Sequence, residues 1–153
     1  MHKNEAELAR LNRLANLLDS KFRIPYTQFR IGLDGLIGLV PIYGDVVSFL
    51  LSFIVIVMIA RMGVPTSVLI RVCMNSLLDF VIGLVPFAGD LADIFFKSNL
   101  RNVRLVQRYY ATPQRVKTQS FLLILSLSVG ILLILLLVVG TLLWLVFQLL
   151  SQI

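Results

Sequence analysis

Apolar and polar positions alternate in three different textures along the chain. In the first, Leu8, Leu11, Ala15 and Leu18 recur at helical spacing while Arg10, Arg13 and Asp19 fall elsewhere on the wheel. The spacing predicts an amphipathic helix within residues 1–24. A basic helix of this kind suits either a membrane surface or the flank of a packed domain. The second texture, residues 25–110, consists of apolar segments broken by proline and glycine. The third is FLLILSLSVGILLILLLVVGTLLWLVFQLL, Phe121 to Leu150, which holds no charged residue. At about 1.5 Å per residue it would be about 45 Å long, against a hydrocarbon core of about 30 Å. A transmembrane helix is expected over 121–150, tilted or protruding, after a linker at 111–120. The N-terminal stretch is charged throughout and lacks the apolar centre of a signal peptide.

The middle region is duplicated. Residues 34–45 read DGLIGLVPIYGD and residues 79–90 read DFVIGLVPFAGD, identical at eight of twelve positions with a constant offset of 45. Agreement at proline, glycine and aspartate marks an internal repeat. Each unit, about 28–62 and 66–110, predicts a helix, a Pro-x-x-Gly-Asp elbow and a second helix. Proline disfavours helix in the residue before it, and glycine allows the turn. The aspartate is placed to cap the helix that follows. The elbow and cap residues are therefore Pro41, Gly44 and Asp45 in the first unit, and Pro86, Gly89 and Asp90 in the second. Gly63-Val64-Pro65 separates the two units.

Composition sharpens this picture. The chain of 153 residues is 58% hydrophobic and only 14% charged, with a mean hydropathy of +0.91. A soluble domain is typically about 45–50% apolar and about 25% charged, and so short a chain cannot hide the excess from water. One cysteine, Cys73, excludes an internal disulfide framework. With one histidine besides, His2, no zinc cluster and no Ser/His or Cys/His catalytic set can be assembled. The expectation is a protein that is not an enzyme and carries no cofactor. Its net charge of +6 comes from residues flanking apolar segments, where membrane topology explains them, so nucleic acid is not an expected partner. The fold class expected is all-α: an integral membrane helical protein with two tandem helix–elbow–helix repeats between an amphipathic helix and a long transmembrane helix. Arg115 and Lys117 precede that last helix. By the positive-inside rule they place the N-terminus in the cytoplasm and the C-terminus outside a bacterial inner membrane.

Polar residues within apolar sequence are the functional candidates. Asp34 and Asp79 occupy equivalent places, each about one turn after a polar residue, Arg30 and Asn75. Arg71, Asn75 and Asp79 share one helix face. Ionisable groups inside membrane segments face a protein interior or a water-filled path. Carboxylates related by the repeat would suit a hard cation or a proton, and the metal, if there is one, is not specified. Arg30 with Asp34 is also a favourable helical pair by itself. In the second unit, Asp93, Lys97, Arg101 and Arg104 fall three or four apart and predict one charged helix face.

The elbows, together with LLDSKFRIPYTQFRIGLDGLIGLVPIYGD, RMGVP, RVCMNSLLDFVIGLVPFAGDLADIFFKSNLRN and RLVQRYY, resemble the bacterial family called domain of unknown function 4112, over about residues 8 to 110. The resemblance implies that Asp19, Arg23, Pro25, Arg30, Asp34, Asn75, Asp79, Asp93, Lys97, Asn99 and Asn102 match the family pattern. Tyr26 stands in place of an expected glycine, and Tyr43 where a small residue is common. The family carries no established activity to transfer. Two functions remain in view. One is an oligomeric cation- or proton-conducting assembly using the duplicated aspartates. The other is a structural scaffold or adaptor that binds membrane proteins or lipid. Either would meet the lipid bilayer and further copies of itself.

Overall fold

The computed structural model describes residues 2–23, 30–38, 43–83 and 97–150. Along the chain these form α1 (His2–Ser20), β1 (Phe22–Arg23), β2 (Arg30–Ile31), α2 (Leu33–Gly38), α3 (Tyr43–Arg61), α4 (Thr66–Gly83), α5 (Ser98–Ala111) and α6 (Pro113–Leu150). The fold is all-α apart from one two-residue antiparallel ladder, which pairs Phe22 with Ile31 and Arg23 with Arg30. A ladder that short leaves no alternating pattern in the sequence, so nothing in the periodicity announces it.

The core lies where α1, α3, α4 and α5 meet. Leu11, Ala15 and Leu18 of α1 pack with Val55, Ile56 and Ile59 of α3, Val68 and Val72 of α4, and Val103, Leu105 and Val106 of α5. Val116, in the first turn of α6, closes one side. The amphipathic spacing of α1 is thus satisfied by the domain, which settles where its apolar face goes. α3 and α4 form a hairpin whose turn is made by Gly63, at φ +73°. That left-handed conformation costs other residues about 1–2 kcal/mol. Tyr110 of α5 fixes the same end by donating its hydroxyl to the Met62 carbonyl at 2.8 Å. At the opposite end of α1, Gly32 is buried against the helix, and a Cβ there would overlap the Leu18 carbonyl.

Several boundaries differ from expectation. The first helix of the first unit is short: α2 covers only Leu33–Gly38. Arg30 lies in β2 and exposed, so it cannot form a helical pair with Asp34. α3 begins at Tyr43, which puts Asp45 inside its first turn rather than ahead of it. Residues 111–120 are not a linker. Pro113 opens α6 at a position that needs no N–H donor, and burial of Val116 and Ser120 holds the following turns on the domain. Pro41, Pro86, Gly89, Asp90 and Asp93 lie outside the described residues, so the elbows and the repeat relation rest on sequence.

α4 and α6 are long and apolar enough to cross a membrane, with mean hydropathies of 1.4 and 3.2 over their most apolar windows. They differ in surroundings. α4 packs against α3, α5 and α6. Residues of α6 beyond Ile124 are exposed as far as Leu145, apart from Gly130, which has open space where a side chain would stand.

Candidate functional site

The N-terminus of α5 is the focus of the buried polar groups. Lys97 is its N-cap residue and makes no side-chain cap bond. The cap comes instead from α1, where Asp19 Oδ2 accepts the Leu100 N–H at 2.8 Å. The free N–H groups and dipole of a helix start favour a carboxylate at this place. A second carboxylate arrives from α4: Ser98 donates its hydroxyl to Asp79 Oδ2 at 2.6 Å. The third, Asp34 of α2, meets the side chain of Asp19 directly through a hydrogen bond.

Asn99 ties these together. It is 0% exposed, and its Nδ2 lies 2.8 Å from Asp19 Oδ1, 3.0 Å from Asp34 Oδ2 and 3.0 Å from Ser52 Oγ of α3. An amide nitrogen has two hydrogens for these three acceptors. Bonds to carboxylate oxygens are about twice as strong as neutral ones, so Asp19 and Asp34 win them and Ser52 is the weaker contact. One turn along α5, Asn102 accepts from Asn75 Nδ2 at 2.8 Å and donates to Ser76 Oγ at 3.0 Å. Asn99, Asn102, Val103 and Val106 therefore share the buried face of α5. Arg101, Arg104 and Arg108 are exposed.

Burial sets the electrostatics. Desolvation raises the Asp19 pKa above its ordinary 3.8, against the opposing pull of the Leu100 N–H, Asn99, Asp34 and the Lys97 ammonium. Burial thus disfavours the charged form of Asp19, and half-buried Asp34 lies against it. Two small cavities flank the pair. One of about 20 Å³ is lined by Asp34, Ser48, Ser52, Ser76, Asp79 and Phe80. The other, of about 10 Å³, is lined by Asp19, Gly32, Asp34, Asp79 and Lys97 among others. The first has room for a single water and the second is at the margin for one. Among the described residues, no three histidine, cysteine, aspartate or glutamate side chains are placed to share a metal ion.

Of the residues singled out from spacing, Asp34, Asn75 and Asp79 belong to this network, and Lys97 borders it. Arg71 is half-buried on the same helix as Asn75. Because Lys97 is the N-cap residue of α5, it stands outside the helix that carries Arg101 and Arg104, while Asp93 lies outside the described residues. Arg101 and Arg104 do present the exposed face expected of them. Spacing alone missed Asp19, Ser52, Ser76, Ser98, Asn99 and Asn102. The family resemblance had marked Asp19, Asn99 and Asn102, while the three serines give no sequence signal.

Fold and site together define an all-α domain with two helices long and apolar enough to cross a membrane, held by a carboxylate–amide network. The sequence model of the family described as Domain of unknown function (DUF4112) matches residues 7–110, which take in every member of that network, and the chain belongs to this family. No curated protein and no solved structure was found to match the chain.

Proposed function

We propose that the protein is a non-enzymatic, self-associating module of the bacterial inner membrane, anchored by α6 with its N-terminal domain on the cytoplasmic side. Its buried aspartates are architecture: they join α1, α2, α4 and α5 around one helix start. The observation that carries this reading is the engagement of Asp19, Asp34 and Asp79 by Asn99, Ser98 and Leu100, with space beside them for about one water per cavity. A conducting route needs a continuous polar path, whereas Asp19 is buried and half-buried Asp34 and Asp79 are each held by a hydrogen-bonded partner. Self-association follows from α6, which presents apolar side chains from Leu125 to Leu145 with no partner from the described domain. Small residues on it, Ser126, Ser128, Gly130 and Gly140, permit close approach of helices. Arg115 and Lys117 at its start support the orientation.

A second reading, proton or cation movement, is favoured by one observation, the Asp19–Asp34 carboxyl contact beside a water-sized cavity. Native mass analysis from mild detergent tests the first reading. One dominant oligomer is expected, and a monomer at every protein concentration would sink self-association.

A further inference from the structure

We infer that α4, although long enough to cross, does not cross the bilayer. The α3–α4 hairpin instead dips its elbow end, the start of α3 and the end of α4, into the leaflet that α6 enters, and among the described helices only α6 spans. This rests on the anchoring role of α6 and adds the depth of the domain.

Three independent features of the chain place the boundary at one level. The first is register. α6 starts beside the beginning of α4, because Tyr110, three residues before Pro113, is bonded to Met62, four residues before Thr66. From there α6 packs along α4 and α5. Its domain-facing positions are Val116 and Ser120, buried, then Leu123 and Ile124, half-buried. Phe121, Leu122, Leu125, Leu127 and Val129 are exposed apolar residues, so hydrocarbon begins within 121–125. Equal rise along the two helices puts that level between about Cys73 and Leu77 of α4. The 26 residues of 125–150 are about 39 Å long, enough for one tilted crossing of a core of about 30 Å. Trp144 then lies at the far interface, where tryptophan is favoured.

The second feature is exposure. In α4 the large exposed apolar residues are Leu77, Leu78 and Val81, past that level, with Ile70 the one exception. In α3, which runs the other way, they are Tyr43, Val46, Val47, Leu50, Phe53 and Ile54, towards the elbow. Contacts match the two sets in height, through Ser52 to Asn99 and Phe49 to Phe80, whose rings are 4.8 Å apart.

Charge is the third. All 14 lysines and arginines lie outside residues 31–60, 72–96 and 118–153. Exposed Lys21, Arg23, Arg30 and Arg101 gather near the level of Ser76 and Asp79, where Asp19, Ser98 and Asn102 are bonded. Exposed Arg104 and Arg108 of α5 with Arg10 and Arg13 of α1 flank the first half of α4. Water-facing arginines on both flanking helices keep that half of the hairpin out of hydrocarbon. Among aspartates in the inserted part, Asp34 and Asp79 sit in the polar network. Asp45 falls in the first turn of α3.

The occupant of the exposed elbow-end surface is therefore lipid, continuous with the lipid around α6. The test uses the full chain in nanodiscs holding one copy each, with Trp144→Phe removing the single tryptophan. Tryptophan is then placed at one site per variant, Leu136→Trp, Val81→Trp or Ile70→Trp, and its fluorescence is read against acyl-brominated lipid. Leu136→Trp and Val81→Trp are expected to lose most of their fluorescence and Ile70→Trp to keep it. Quenching of Ile70→Trp as deep as that of Val81→Trp would mean that α4 crosses, and would overturn the inference. Quenching at Leu136→Trp without quenching at Val81→Trp would also overturn it, assigning the elbow-end face to water or a second copy while leaving α6 as the anchor. No quenching at Leu136→Trp would defeat the anchoring role itself.

Discussion

Replacing Asn99 by alanine removes the one side chain that reaches two buried carboxyl groups at once. Its Nδ2 is 2.8 Å from Asp19 and 3.0 Å from Asp34, and the residue has no exposed surface. A hydrogen bond to a charged partner contributes about 1.5–3 kcal/mol, and the partner left behind stays dry and unsatisfied. The Leu100 N–H still donates to Asp19, so the two losses are not fully additive. We expect Asn99→Ala to destabilise the domain by about 3–5 kcal/mol, a fifth or more of the stability of an ordinary domain. Asn99→Asp, nearly equal in volume, should be worse at neutral pH because it adds a carboxylate to three others. It should recover in part as the pH falls and the cluster protonates. Reversible urea unfolding in mixed micelles, followed by circular dichroism, reads both variants. Asn16→Ala is the control, because Asn16 is exposed and bonds only to Asn12 within α1. A loss below about 1 kcal/mol for Asn99→Ala, inside the range of ordinary substitutions, would refute the claim that this amide holds the carboxylates.

Further expectations follow from single contacts. Because burial raises the folded-state pKa of Asp19 above its unfolded value, its contribution is fully present below about pH 3.8 and is lost as pH rises through the folded pKa. Asp34, Asp79 and Lys97 face the same space and shape that transition. Stability curves of wild type and Asp19→Asn should therefore diverge in slope across this range, and parallel curves would count against the linkage. Gly32→Ala should prevent α1 and β2 from closing as they do, because the new Cβ overlaps the Leu18 carbonyl; a melting temperature equal to wild type would contradict that geometry. Tyr110→Phe should cost about 1 kcal/mol, the worth of one hydrogen bond to the Met62 carbonyl, in the same unfolding assay.

How much of this was legible in the sequence depended on whether a residue's role was local. The long apolar helix α6, the apolar face of α1 and the break at Gly63 each arise from neighbours within a few residues, and periodicity exposes them. The network does not. Asp19 caps a helix that begins about 80 residues later in the chain, and nothing in its surroundings says that Leu100 will donate to it. Ser52, Ser76 and Ser98 look like ordinary small residues in apolar helices, because a serine becomes informative only when a carboxylate or amide is brought opposite. Arg30 and Lys97 were misplaced for one reason: helical spacing was extended through a strand and through a cap. Asp34 and Asp79 stood out because charge in apolar sequence is costly. The sequence could say that they needed partners without saying which.

Ion flux through the purified full chain in sealed liposomes tests most directly whether the duplicated aspartates are architecture. Protons, potassium, sodium and magnesium would be read in turn, with wild type beside the Asp34→Asn, Asp79→Asn double variant and the oligomer of each checked by native mass. The account predicts flux no greater than that of empty liposomes for wild type, and a double variant that differs only in stability. Selective flux in wild type that disappears in an intact, correctly assembled double variant would contradict it, and would make the same carboxylates a path through the membrane.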